Sequence, residues 1–181
     1  MTKTMLRPPE IGGHVDKAAV DPRIAAVNGF WRQAGIDKWF AKDKAFDTDF
    51  RQRFEALRFA AAARELDDWI ETAEGALALM VLLDQFPRNS YRNTGHMFAT
   101  DSLARRFARI AFDRGHDVQI KRDLRVFFHL PFEHSEDPVD QARAVELCTS
   151  LDNETMRYAH IHQDIITRFG RFPHRNPCPR P

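Results

Sequence analysis

Gly75-Ala76-Leu77-Ala78-Leu79-Met80-Val81-Leu82-Leu83-Asp84-Gln85-Phe86-Pro87-Arg88-Asn89 is the stretch that decides the fold. Its apolar run, Ala76 to Leu83, points side chains in every direction around a helix with 3.6 residues per turn. A helix apolar on all sides lies inside a protein, wrapped by others. The run is far short of the about 20 residues that cross a bilayer. Asp84 ends it. A carboxylate in a last helical turn meets the negative end of the helix dipole, at a cost of about 0.3–1 kcal/mol. Burial beside Leu82, Leu83 and Phe86 adds desolvation. Asp84 therefore needs a partner, and Phe86-Pro87 is expected to stop the helix.

Outward from this rod, the pattern stays helical. Asp21-Pro22 carries a capping carboxylate and a proline at the first helical position, opening a helix that runs to Gly35. From Lys44, the residues Phe46, Phe50, Phe54, Leu57 and Ala61 recur at three- and four-residue steps, an amphipathic helix with an aromatic core stripe. Thr72 is placed to cap the central helix. Further helices are expected over 97–114 with Gly115 as stop, 121–129 ended by Pro131, 137–151 and 153–169 with Gly170 as stop. No segment alternates like a strand. The expectation is an all-α domain of seven or eight helices over residues 21–176, around one buried central helix, with a flexible arm at 1–20 and a short tail at 177–181.

At 181 residues the chain is long enough for one domain burying about 70% of its unfolded surface. A net charge of +1 supplies no general attraction for nucleic acid or an anionic membrane, so neither partner is expected. Cys148 and Cys178 form no metal-ligand spacing and no disulfide framework. The first residues hold no apolar run of signal-peptide length, which makes the cytoplasm the expected compartment. Neither a phosphate-cradling glycine loop nor a nucleophile elbow occurs, and no metal or cofactor is expected.

Chemistry concentrates in four polar groups. Asp84, Gln85, Arg88 and Asn89 end the central helix; His134, Glu136 and Asp137 lie between two helices. His162, Asp164 and Arg168 ride the last helix, and Arg171, His174, Arg175 and Asn176 follow it. His162 falls inside the apolar arc of Ile161, Ile165 and Phe169, as a satisfied core histidine or a ligand-facing one. His160, Asp164 and Arg168 form a separate line that reads as a solvated face. Arginines near helix ends suit carboxylates and phosphates bidentately. Arg88 reads as a clamp on Asp84, and Arg175 as a ligand group. Two functions compete: a pocket for a small anionic ligand, with His134 or His174 carrying protons, or a groove offered to a peptide or protein partner. No reaction can be read from these residues.

Three stretches carry a resemblance. They are Leu82 to Asn89, Phe127 to Asp137 (Phe-Phe-His-Leu-Pro-Phe-Glu-His-Ser-Glu-Asp), and Arg168 to Asn176 (Arg-Phe-Gly-Arg-Phe-Pro-His-Arg-Asn), supported by Trp39-Phe40 and Phe46-Asp47. Together they resemble an uncharacterised bacterial family, domain of unknown function 924, over roughly residues 25–176. The resemblance implies an all-α, tetratricopeptide-like helical array and no known activity. Gln163 stands where an arginine is usual, and Pro177 to Pro181 departs from the family's continuation.

Overall fold

The computed structural model describes residues 21–149 and 151–175, so the arm at 1–20, Asn176 and the tail fall outside the described residues. The described residues contain no strand. The helices are α1 (Pro22–Ala34), α2 (Ile36–Trp39), α3 (Lys44–Ala62), α4 (Ala73–Met80), α5 (Phe86–Ser90), α6 (Asp101–Asp113), α7 (Val126–Glu133), α8 (Pro138–Cys148) and α9 (Asn153–Phe169). A single wide turn, Val81–Gln85, joins α4 to α5. With that rod taken as one helix, eight are described, in the all-α class expected.

The rod is the core. Every residue from Gly75 through Pro87 is buried. Helices α1, α6 and α7 pack on α4, while α3 packs on α5 and the wide turn. Thr72 caps the rod as expected, its Oγ1 accepting from Gly75 N at 3.0 Å. Gly75 is required there by close approach: a Cβ would lie 2.0 Å from the Trp69 carbonyl oxygen. The α3 stripe is core, with Phe50 stacked on Phe30 at 5.3 Å and edge-on to Phe86 at 5.0 Å between ring centroids. Such aromatic pairs add about 0.5–1.5 kcal/mol each beyond area burial.

Asp21, Asp137 and Asp152 cap α1, α8 and α9 through side-chain oxygens. Gly35 and Gly170 end α1 and α9 at φ of 67° and 65°, a region other residues avoid. Boundaries moved elsewhere. α6 starts at Asp101 rather than Met97, because Gly95–Phe98 makes a tighter turn first. α7 is shifted to Val126–Glu133, and α8 stops at Cys148.

Both prolines expected to stop helices are instead carried within them. Pro131 lies inside α7, where its missing N–H removes one bond from a helix two residues short of its end. Buried carbonyls at and just beyond that end are taken by one side chain. Gln141 Nε2 donates to the Glu133 and Ser135 oxygens at 2.8 and 2.6 Å.

Candidate functional site

Pro87 shapes the site. It has no N–H for the Leu83 carbonyl, and its ring collides with that oxygen in a regular α-helix. The chain answers with a π turn, in which Phe86 N–H reaches back five residues to Val81 O. Leu83 O is then satisfied from outside, by Thr100 Oγ1 at 2.6 Å. Helix α5 continues past Pro87, which corrects the expected stop there. The π turn carries Asp84 and Gln85, both buried, and α5 carries Arg88 and Asn89 just beyond.

Asp84 is fully buried and has three partners. His134 Nδ1 lies 2.8 Å from its Oδ1, Gln85 Nε2 donates to Oδ2 at 2.6 Å, and Arg88 Nη1 is 3.2 Å from Oδ1. Arg88 Nη1 also donates to the Asp84 carbonyl at 3.0 Å and to Asp101 Oδ1 at 2.9 Å. Arg175 closes the cluster from the C-terminal segment. Its Nη1 is 3.2 Å from Asp101 Oδ2, and its Nη2 donates to the His134 carbonyl at 2.7 Å. The Arg175 guanidinium sits over the Phe98 and Phe172 rings, 4.5 and 4.8 Å from their centroids. The expected direct bond from the C-terminal motif to Asp84 is thus corrected to a two-step link. Asp101 and the His134 backbone stand between, and the imidazole on Asp84 comes from the middle motif.

The charges settle their own protonation. Burial alone would raise the Asp84 carboxyl, but Arg88, His134 and the Gln85 bond overcome it and hold the group below its ordinary range. Burial would lower Arg88, yet Asp84 and Asp101 hold it above its usual value. For His134, burial and then Arg88 outweigh the Asp84 carboxylate and lower it. The imidazole is therefore neutral at pH 7. With Asp84 ionised, the His134 Nδ1 must carry the proton it shares, leaving Nε2 as a basic lone pair. Burial, opposed by Asp101 and aided by Arg88, lowers Arg175. Burial, Arg175 and His162 lower His174.

A second carboxylate–imidazole pair lies alongside. Glu133, almost fully buried, meets His162 Nδ1 at 3.0 Å through Oε2 and accepts from Cys148 Sγ at 3.5 Å through Oε1. Burial and then Glu133 push the Cys148 thiol up, so it stays protonated and unreactive. The His134 and His162 rings are 6.4 Å apart, and His162 is edge-on to Phe172 at 5.6 Å. Glu136 Oε1 accepts from the Phe172 N–H at 2.9 Å, which ties the C-terminal segment to the α7–α8 turn.

Of the sequence-derived candidates, Asp84, Gln85, Arg88, His134 and Arg175 come together, with Glu136, His162 and His174 around their rim. Asn89 faces away, donating to Asp47 Oδ1 at 2.9 Å. Arg168 makes an exposed pair with Asp164 at 3.6 Å, worth little in water, and lies over the Phe169 ring. Arg171 is exposed and forms no ion pair among the described residues. Sequence reading missed Asp101, Glu133 and Thr100. Glu133 was findable, since it ends a stretch, Phe127 to Phe132, that is apolar but for His129, much as Asp84 ends its own. No group of three or more metal-binding side chains is found among the described residues. Nor is any of the described helices long and apolar enough to cross a membrane.

Fold and site define an all-helical protein organised on a buried Asp–Arg–Asp–Arg chain with a carboxylate-held imidazole. Residues 27–179 match the family described as "Bacterial protein of unknown function (DUF924)", and the chain belongs to it. It is also similar to a solved protein of unknown function from Agrobacterium tumefaciens: 57% identity over 86% of this chain and 88% of that one, with a TM-score of 0.85. None of the curated proteins matches the chain.

Proposed function

We propose that the Asp84 cluster receives a small anionic ligand, a carboxylate or phosphate of a few atoms, in the cytoplasm. One observation carries this reading. Arg88 Nη2 and Arg175 Nε are buried inside the cluster and have no hydrogen-bond partner. Buried guanidinium N–H groups without an acceptor cost about 1–3 kcal/mol or more each, and native proteins rarely leave them so. A small anion offers acceptors to both. Its charge would also favour protonation of His134, whose imidazolium Asp84 is placed to stabilise. Binding would then take up a proton and strengthen as pH falls.

Thermal melts of the full chain with acetate or inorganic phosphate test it. At one hundred times the dissociation constant, the ligand should add about 2.7 kcal/mol of stability. Arg175→Lys keeps the charge beside Asp101 but removes Nε, and should abolish that gain. An unshifted melt with either anion, from pH 5.5 to 8, would sink the reading.

An interaction scaffold, similar to tetratricopeptide arrays, is the second reading. Sequential packing of α6 on α7, α7 on α8 and α8 on α9 supports it. So does an open groove of about 520 Å³ on α9, lined in part by Met156, Ile161 and Ile165. That groove would suit the apolar face of a partner helix.

A further inference from the structure

Between the first half of α3 and the end of the central rod runs an open groove of about 600 Å³, within the range of small-molecule sites. Lys42, Lys44, Arg51 and Arg92 line it against two carboxylates, Asp47 and Glu55. Both carboxylates are already engaged within the chain. Asp47 accepts from Arg92 Nε at 2.7 Å and Asn89 Nδ2 at 2.9 Å. Glu55 accepts from the Tyr91 hydroxyl and from Arg51 Nε, both at 2.9 Å, and the Tyr91 bond above all lowers its carboxyl. Lys42 and Lys44 are left as the cation excess, exposed and without an ion pair among the described residues.

The floor beneath them is fixed. Arg92 Nη2 donates to the Ala41 carbonyl at 2.9 Å, which pins the segment carrying both lysines to the rod's end. Ser90 Oγ, in the lining, is buried without a hydrogen-bond partner. The remaining lining is Thr48, Gln52 and Asn89, so no aromatic face is available to stack a base.

We infer that this groove binds a phosphorylated, polyhydroxylated small molecule of sugar-phosphate size. The lysine ammonium groups hold the phosphate as point charges. Thr48 and Gln52 supply donors and acceptors for ligand hydroxyls. Every side chain lining the groove carries a polar or charged group. The absence of a stacking platform argues against nucleotides and single-stranded nucleic acid, which use aromatic rings. The inference is independent of the Arg88 site, because no residue is shared.

Isothermal titration of the full chain with ribose 5-phosphate, inorganic phosphate and sulfate, at pH 7.5, tests it. Ribose 5-phosphate should give a saturable one-site isotherm, at least tenfold tighter than sulfate. Lys42→Glu with Lys44→Glu should weaken it at least tenfold. Gln52→Ala should weaken ribose 5-phosphate more than inorganic phosphate, and Arg175→Lys, outside the lining, should leave ribose 5-phosphate unchanged. The two lysines are exposed and have no ion pair among the described residues, so the charge-reversed chain should retain its circular dichroism spectrum. Equal affinity for sulfate, no saturable heat at millimolar probe, or an unchanged affinity after reversal of both lysines would each overturn the assignment.

Discussion

At the Asp84 cluster every formal charge has a counterpart within the chain, whereas at the Lys42–Arg92 groove two cations have none among the described residues. Arg88 lies between Asp84 and Asp101, and Arg175 closes on Asp101 from the other end of the sequence. In the groove, Arg92 and Arg51 are paired, but Lys42 and Lys44 stand exposed. The same residue types thus do different work. Inside, desolvation makes an unpaired charge so costly that charges come in balanced sets. Outside, water supports an unpaired ammonium, and the excess stays available to a ligand.

The comparison predicts a large effect at Asp84. Asp84→Asn removes the carboxylate that faces both Arg88 and His134, and should cost about 3–5 kcal/mol in urea unfolding. Replacing Arg88 by Met as well should recover part of that loss, because the stranded cation goes with it. A cost below about 1 kcal/mol for the single change would mean the cluster is wet and its balance incidental.

Titration should separate the interior from the groove next. Burial, with Arg125 and Arg143, lowers the core imidazole His129 from 6.5 to about 4. A lowered histidine binds its proton first in the unfolded chain. Its stabilising effect is therefore complete above about pH 6.5 and lost as pH falls through about 4, amounting to about 3 kcal/mol at 1.36 kcal/mol per pKa unit. His129→Gln should flatten the fall in unfolding free energy between pH 6.5 and 4, while Lys44→Ala should leave it intact. Parallel pH profiles for wild type and His129→Gln would show that the acid sensitivity lies elsewhere.

Arg175→Ala should have a somewhat smaller effect. It strips a charge-assisted bond from the His134 carbonyl and one of two cations from Asp101, for a loss of about 1.5–3 kcal/mol. Arg175 does not line the groove, so ribose 5-phosphate binding should be unchanged. If its melt matches wild type, Arg175 contributes no stability, and the balanced-set view of the cluster fails at its outer edge.

Much of this arrangement was legible from local signals. The all-round apolar run 76–83 fixes a buried rod, and proline, aspartate and glycine mark both ends of α1 and α9. The need of Asp84 for a partner follows from its position alone. What stayed hidden depends on long-range pairing. Asp101 is 13 residues from Arg88 and far from Arg175 in sequence, so no helical spacing connects them. In sequence Pro87 reads as a stop, because the α-helix rule forbids it. The escape through a π turn requires Thr100 to satisfy Leu83 O, and only the folded chain shows that donor. The groove is hidden in the sequence for a different reason. Lys42 and Lys44 look like an ordinary solvated segment until Arg92 draws it against the rod.

The smallest effect belongs to the groove lysines. Surface substitutions without partners change stability little, so Lys42→Ala and Lys44→Ala should each leave Tm within about 2 °C of wild type. The sign is informative. Lys42, Lys44, Arg51 and Arg92 share one groove, and their mutual repulsion opposes folding. Removing one of the unpaired lysines should therefore raise Tm slightly at about 0.02 M salt, and this gain should vanish near 0.5 M, where the Debye length is only a few Å. Calorimetric scans of both variants at the two salt concentrations make the check. A drop of several degrees at low salt would show that the lysines are held by acceptors inside the chain. The groove would then be one more balanced set, and its contrast with the Asp84 cluster would disappear.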